Sequence, residues 1–361
     1  MFDHNHYVPI LKGREGEYGA LKQVTDRSRD RITPLIEIPP IPWDFVNGSP
    51  SKSIDDHLKK VCKNILGAWG GERSLFLDTL WLPADVRMTD GRHPLSFLLD
   101  HGYSMGLKLI PVTGLLRGDK HVTSCRKAHT ANGAGVCIRI QREDFTEFSD
   151  LPNALDALLR SVAVPIRQAD LVLDLRAITD GEIDEDEVAA LVRSIPSLNQ
   201  WRTFTLAATS FPTNLVGLPA SDCSRVQRLE WKLWKMVQRK LPSSIRKPAF
   251  GDYAISHPEP SEVDPRIMKP SASVRYTYRT YWLVMKARNL RDHGYAQFHG
   301  LCSELMKRVE YSGTGFSWGD EYIGECGRQR RGPGNLTTWR KVGTSHHLAF
   351  VLDQLSSYVS S

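Results

Sequence analysis

Short apolar runs alternate along the chain with longer stretches whose apolar residues recur every three or four positions. The runs are "HYVPILKG", "RITPLIEI", "SLFLDTL", "LKLIPVTG", "GVCIRI", "ADLVLDLRAI", "WRTFTLAATSF" and "PAFGDYAI". Each is short, rich in branched apolar residues and bounded by turn formers, which predicts a strand. The stretches between them predict helices. "REGEYGALKQVTDRSRD" has helical spacing at Tyr18, Leu21 and Val24. "SIDDHLKKVCKNILGAWG" opens on Ser53, an N-cap type, with Asp55 and Asp56 in its first turn. "PLSFLLDHGY", "HVTSCRKAHTAN", "LPNALDALLRSV", "DEDEVAALVRSI" and "SDCSRVQRLEWKLWKMVQRKL" complete the set.

Alternation of this kind implies parallel pairing, with strands buried on both faces. Eight strands over roughly 250 residues is the size of a closed (β/α)8 barrel. The main rival, a doubly wound open sheet, often carries a glycine-rich phosphate loop in its first turn, and none is present here. Pro9, Pro34 and Pro111 are expected at the first positions of their strands, where a missing N–H is tolerated. The expectation is a TIM-like barrel in one domain, 1–361. Its core strands fall within 7–255 and an elaborated C-terminal unit occupies 256–361.

In a parallel barrel the C-terminal ends of all strands open on one face, where such folds place their sites. That rim is read as Lys12, Glu37, Asp78, Thr113, Arg139, Asp174, Ser210 and Asp252. Charges at strand ends beside a core are costly unless paired or used. Two readings follow. In one, Lys12 and Arg139 neutralise the carboxylates in a salt-bridge ring. In the other, Glu37, Asp78, Asp174 and Asp252 serve as an acid/base pair or as ligands for Mg²⁺ or Mn²⁺, and Lys12 and Arg139 bind an anionic substrate. The second reading is a metal-assisted hydrolase or phosphoryl-chemistry enzyme. A Schiff-base role for Lys12 has no motif behind it.

The last third departs from the alternation. "SVRYTYRTYWLVMKA" predicts a hairpin on the rim, and "AQFHGLCSELMKRV" a helix. "SGTGFSWGDEYIGECGRQRRGPGN" reads as irregular, and "TSHHLAFVLDQLSS" as a closing helix capped by Thr344 or Ser345. His346 and His347 would then lie in its first turn, about 100° apart, so one packs and the other faces out. That angle disfavours a shared metal. Arg328, Arg330 and Arg331, with Arg340 and Lys341 beyond, form either a solvated loop or a phosphate clamp. Asp320, Glu321 and Glu325 lie close enough in sequence to pair with them. Arg225, Arg228, Lys232, Lys235 and Arg239 recur at spacings of three and four, giving one basic stripe on the long helix. That stripe is either a solvated face or a surface for an anionic partner such as nucleic acid. Trp231 and Trp234 fall off the stripe and, if exposed, would extend that surface. A non-catalytic nucleic-acid binder is therefore the alternative to an enzyme.

Composition narrows the class only modestly. The 361 residues are 41% hydrophobic and 24% charged, ordinary for a globular chain, and the net charge of +6 permits an anionic ligand without requiring one. No apolar stretch approaches the roughly 20 residues of a membrane span. The start, "MFDHNHYVPI", lacks the features of a secretion signal. The six cysteines show no C-x-x-C or tight Cys/His spacing, which fits a reducing cytoplasm and argues against a zinc ribbon. A cytoplasmic protein is expected. Walker and H-E-x-x-H motifs are missing.

Several stretches together resemble a known family. They are "YVPILKGREGEYGAL" with "ITPLIEIPP", "GVCIRI", "GDYAISHPEP" followed by "VRYTYRTYWLVMKAR", and "GTGFSWGDEYI" with "WRKVGTSHHL". They resemble the beta family, named for a T-even bacteriophage protein and found widely in bacteria. The chain departs from it at Lys286-Ala287-Arg288, where members tend to have a glycine, a difference expected to alter a turn. The resemblance implies no reaction. Members occur in phage genomes and variable bacterial loci, which implies a role in phage–host conflict, a protein partner from the same locus and, for the non-catalytic alternative, a phage component as the ligand.

Overall fold

The computed structural model describes residues 2–359 except 148–149, 183, 220–221, 260–266 and 268. The first half runs β1 (Tyr7–Leu11), α1 (Glu15–Lys22), α2 (Asp26–Arg29), β2 (Leu35–Glu37), a two-residue ladder β3 (Trp43–Asp44) and β4 (Ser49–Pro50), α3 (Ile54–Trp69), β5 (Ser74–Asp78), α4 (Pro94–Ser104), β6 (Lys108–Thr113), α5 (Asp119–Asn132) and β7 (Val136–Gln141). It continues with α6 (Asp144–Glu147), α7 (Leu151–Val162), β8 (Ala169–Ala177), α8 (Glu185–Ser194), β9 (Thr203–Thr209), β10 (Asp222–Gln227), α9 (Leu229–Lys240) and β11 (Ala249–Asp252). The last part holds β12 (Ser271–Tyr278), β13 (Tyr281–Asn289), α10 (Leu290–His293), α11 (Gln297–Leu305), α12 (Trp318–Gly327) and α13 (Leu336–Val359).

Eight parallel strands close a barrel in the order β1-β11-β9-β8-β7-β6-β5-β2, so the (β/α)8 expectation holds. Tyr7 lies opposite Phe250, which seals the first strand to the last. Side chains alternate along each strand. Val8, Ile10, Leu35, Phe76, Val112, Cys137, Val172 and Ala207 fill the barrel, while Ile36, Leu77, Ile138, Leu173 and Phe250 pack outward against the helices. The same alternation turns Lys12, Glu37, Asp78, Arg139 and Asp174 inward at the C-terminal rim.

Pro9 and Pro111 lie inside their strands, not at the first position; only Pro34 precedes its strand. Both internal prolines fall where a strand changes neighbours. β1 pairs with β11 up to Pro9 and with β2 from Ile10 onward. β6 pairs with β5 up to Pro111 and with β7 from Val112. At Pro111 the β7 ladder begins only with the next residue, whereas at Pro9 the missing N–H interrupts contact with the β2 side, which Tyr7 has already opened through a bridge to Ile32.

The C-terminal unit is more regular than its glycine content suggests. β10, β13 and β12 form an antiparallel sheet in that order, so the expected hairpin gains a third strand. Lys286 lies within β13, which runs through the "KAR" stretch to Asn289 without the expected turn, and its ammonium bonds the carbonyls of Leu215 and Leu218. α12 occupies a stretch read as irregular, because Ser317 caps it by accepting from the Asp320 N–H. α13 is 24 residues long and begins at Leu336, so Thr344 and Ser345 are not its cap. Trp339 and Val342 near its start pack in the C-terminal unit, and Leu348, Val351 and Leu355 near its end pack on the barrel. The sheet lies over one side of the mouth, where Phe211 and Ile255, following β9 and β11, meet Trp282 and Val284.

The long basic helix expected over "SDCSRVQRLEWKLWKMVQRKL" is two elements. Residues up to Gln227 form β10, and α9 starts at Leu229. The five cations thus form no single stripe. Arg225 is on the sheet, paired with Glu310, and Arg228 is fully buried. Lys232 and Arg239 are exposed on α9, and Lys235 is half-buried above the Trp231 ring. Trp231 and Trp234 are buried, stacked on each other and edge-on to Phe250.

This packing sets the expected cost of substitutions on α9. Trp234→Ala should lose about 3–5 kcal/mol in urea unfolding, as buried aromatic truncations do. Lys232→Gln should stay within about 0.5 kcal/mol of the wild type. Equal stability of the two variants would place Trp234 at the surface.

Candidate functional site

The inward rim residues meet around one guanidinium. Arg139 donates from Nη1 to Glu37 Oε1 at 2.9 Å and to Asp78 Oδ2 at 2.8 Å. From Nε and Nη2 it donates to Asp174 Oδ2 at 3.0 and 2.7 Å. Nη2 also reaches the Tyr253 hydroxyl at 2.7 Å, which donates in turn to Asp174 Oδ2 at 2.6 Å. A second arginine, Arg117, donates to Asp78 Oδ1 at 2.7 Å, and the Trp81 indole donates to Glu37 Oε2 at 3.1 Å. Each carboxylate is all but fully buried.

Local turn chemistry holds these groups. Asp78 and Asp174 accept the backbone N–H two residues ahead, from Leu80 and Arg176, both at 2.9 Å. Arg176 takes a left-handed conformation, φ 57°, to make that turn. Its side chain pairs with Glu259 and lies over the Trp81 ring. Lys12 donates to the Glu259 carbonyl at 2.5 Å. The segment after β11 thereby crosses the mouth and, with Trp81 and Arg176, covers the Arg139 cluster.

Opposing effects set the protonation of the cluster. Burial raises the pKa of Asp78, but Arg117 and Arg139 outweigh it and leave the value below normal. Burial dominates at Glu37, whose pKa stays raised despite Arg139. Burial would lower that of Arg139, yet the surrounding acids and Tyr253 hold it well above normal. Burial depresses Lys12 to about 8, against the pull of Glu37. The carboxylates do not fit a divalent cation, because Arg139 occupies the point where their oxygens converge. Among the described residues no group of three or more His, Cys, Asp or Glu is placed to hold a metal.

The accessible space lies beside this cluster. A cavity of about 600 Å³ opens over the ends of β5, β6 and β7. Arg139 and Arg117 reach it from the barrel side, and Arg87, Lys120 and His93 from the loops and helix starts. Asp119 and Asp144 are the acids that line it. Gly118 brings no side chain to cap α5, so the first-turn N–H groups of that helix face the cavity without a side-chain acceptor. His121 Nε2 donates to the Val112 carbonyl at 2.9 Å, and burial, with Arg117 beside it, lowers its pKa to about 4. The ring is neutral.

Three rim residues turn outward. Thr113 faces the helices. Ser210 Oγ, with one hydrogen to donate, lies between the Gln227 carbonyl at 2.7 Å and Glu230 Oε2 at 2.9 Å. Asp252, expected in the pocket, points under α9 and α13 because Tyr253 takes the inward position. It accepts from the Tyr7 hydroxyl at 2.5 Å and from His347 Nε2 at 2.8 Å, with Arg228 at 4.0 Å. Thr277 Oγ1 donates to His347 Nδ1 at 2.7 Å. This Thr–His–Asp chain has no exposed member and serves as structure. His346 is buried as well, between Asp320 Oδ2 at 2.9 Å and the Thr277 carbonyl at 2.8 Å. Both histidines therefore lie mid-helix and buried; neither faces out. Arg328 and Arg330 lie within ion-pair distance of Glu325, in the C-terminal unit and outside the cavity lining.

Sequence reasoning missed Arg87, His93, Arg117 and Lys120. They lie in loops after strands or at helix starts, and only strand ends were read for the rim. The run "TGLLRGDK" after β6, with its glycines and two cations, carried the signal.

A pH series checks the neutral state of His121. Its folded pKa lies below the ordinary 6.5, so below about pH 6.5 the unfolded chain takes up a proton that the folded chain refuses. Stability from this group is whole above pH 6.5 and falls as the pH drops toward 4. His121→Gln, which can keep the bond to Val112, should be less stable than wild type at pH 7.5, and that deficit should shrink by pH 4.5. A constant or growing deficit contradicts the assignment.

No curated protein matches the chain in sequence. The solved structures similar to it include the following two. A 3-hexulose-6-phosphate synthase shares 12% identity at a TM-score of 0.35, covering 69% of this chain and 90% of that one. A phosphonopyruvate hydrolase shares 10% at 0.34, covering 70% and 80%. Among the described residues no helix is long and apolar enough to cross a membrane. The description "Beta protein" belongs to the family that matches residues 7–353, nearly the whole length, and the chain is a member of that family.

Proposed function

We propose that the cavity over β5–β7 binds a small molecule carrying a phosphate group. The observation behind this reading is the lining. Arg87, Arg117, Lys120 and Arg139 face Asp119 and Asp144 across a space of about 600 Å³. Four cations and two acids line the space, Arg117 and Arg139 being also paired with the carboxylates behind them, and the helix start adds the positive end of its dipole. That volume suits a nucleotide-sized or sugar-phosphate ligand. Arginine forks match phosphate oxygens in pairs, and Lys120 supplies a mobile point charge.

In this reading Glu37, Asp78 and Asp174 are scaffolding. They orient Arg139, and Asp78 also orients Arg117, so the guanidinium groups are fixed before the ligand arrives. Such preorganisation lowers the ordering cost of binding. In the phage–host setting implied by the family, the ligand would be a nucleotide or related phosphate.

Paired ligands test the reading. Calorimetric titrations would compare adenosine 5′-monophosphate with adenosine, and ribose 5-phosphate with ribose. Only the phosphorylated member of a pair should bind. The double variant Arg87→Gln, Lys120→Gln should weaken it at least about tenfold, the scale of two charged hydrogen bonds. Equal binding of phosphorylated and plain ligands, or unchanged affinity in the variant, contradicts the reading.

A further inference from the structure

A second cationic site lies across the mouth, over β11 and β1. In the closed strand order β11 is diametrically opposite β6, the centre of the cavity described above. Two arginines from different elements converge there on consecutive residues. Arg275, on β12, donates from Nη1 to the Ile255 carbonyl at 3.0 Å. Arg340, on α13, donates from Nη1 to Ser256 Oγ at 3.0 Å. The backbones are also close, since a Cβ at Gly343 would stand 3.0 Å from the Arg275 carbonyl oxygen. Lys12 and Arg14 approach from the end of β1 and the start of α1, close enough to act on Arg340 or on each other.

The acids present do not balance these charges. Glu17 is 4.0 Å from Arg340 and is already accepting from the Arg14 backbone N–H at 3.1 Å. The Glu259 carboxylate is paired with Arg176, and offers Lys12 only its carbonyl. Arg275 has the Phe211 ring on one face and no carboxylate within ion-pair distance among the described residues. Burial and the neighbouring Arg340 depress the Arg275 pKa to about 9. Burial also lowers that of Arg340, with Glu17 opposing and Arg14 reinforcing. A half-buried pair of like charges is costly unless something neutralises it.

We propose that Arg275 and Arg340, with Lys12 and Arg14 at the edge, form a binding site for a phosphate group, either free or terminal on a larger ligand. Two guanidinium groups on adjacent backbone anchors present N–H donors to a tetrahedral oxyanion. Barrels of this type frequently hold phosphate beside the loop after the eighth strand, and here β11 is that strand. The C-terminal unit supplies both arginines, so the site exists only when that unit is docked on the mouth.

The test is thermal unfolding of the full chain with inorganic phosphate against chloride at equal ionic strength. Wild type should gain stability with phosphate concentration. Arg87→Gln, Lys120→Gln, which weakens the other cavity for phosphate, should retain a gain and is the background for the variants that follow. In that background Arg275→Gln and Arg340→Gln should each need at least about tenfold more phosphate for the same gain. Without phosphate, Arg275→Gln should be as stable as wild type or more so, since it removes a like charge. Arg275→Lys guards against misfolding, because it keeps the charge and should keep part of the response. A response that survives undiminished in both glutamine variants on that background, or is absent from wild type, overturns the proposal. A parallel titration with glycerol 3-phosphate shows whether a free or a terminal phosphate binds tighter. Failure of the β5–β7 reading would appear only in the nucleotide and sugar-phosphate titrations.

Discussion

One guanidinium inside a barrel sets much of this structure. Glu37, Asp78 and Asp174 end three different strands and point into the same small, buried volume. Alone, three carboxylates there could not all stay ionised. Arg139 makes the arrangement tenable by donating to all three, with Tyr253, Trp81 and Arg117 satisfying further lone pairs. A buried network of this kind stabilises weakly compared with a well-packed apolar core, but losing one member is severe, at about 3–5 kcal/mol. What it provides is orientation. Arg139 and Arg117 are held by their own counter-ions and still present a surface to the cavity.

The C-terminal unit extends the same principle outside the barrel. α13 spans both cores, and its two central histidines face different ways. His347 reaches down to Asp252 and Tyr7 of the barrel, and His346 reaches Asp320 and the backbone of β12. The two ring nitrogens of His346 face the Asp320 carboxylate and the Thr277 carbonyl, whereas those of His347 face Asp252 and the Thr277 hydroxyl. Docking of the unit is thus written in directional polar contacts as well as in the apolar contact of Trp282 with Phe211. The unit covers β9, β11 and β1 and leaves β5 to β7 open. Both cationic regions of the mouth follow from that division.

The strand ends were legible because barrel geometry converts a period of two into a direction. Lys12, Glu37, Asp78, Arg139 and Asp174 share the inward parity of Ile10, Leu35, Phe76, Cys137 and Val172. Asp252 was misread by one position, since Tyr253 is the inward residue and parity, not polarity, decides the face. The α9 stripe failed for a different reason. Spacings of three and four persist on paper across Gln227, but the chain there changes from strand to helix, and Arg228 turns into the core. Sequence could not show that His346 and His347 are buried, because the acids that hold them come from positions 320 and 252. Arg275 and Arg340 were invisible as a pair for the same reason. Yet they fall within "VRYTYR" and "WRKVG", and their anchors within "GDYAIS", so separate stretches that carry the family resemblance meet at one place on the mouth.

The claim that Arg139 is the electrostatic centre of the fold is tested most directly by the pH dependence of Arg139→Met. With the guanidinium gone, the buried acids have folded pKa values above their unfolded ones, so the folded state binds more protons. Stability must then rise as the pH falls from 8 toward 5. The measurement is the urea midpoint of variant and wild type across that range. The account predicts a large loss for the variant at pH 8 that is progressively recovered relative to the wild type at lower pH, the wild type itself rising only by the smaller contribution of its already raised carboxyls such as Glu37. A variant that matches wild type at pH 8, or one whose deficit stays constant with pH, would contradict it.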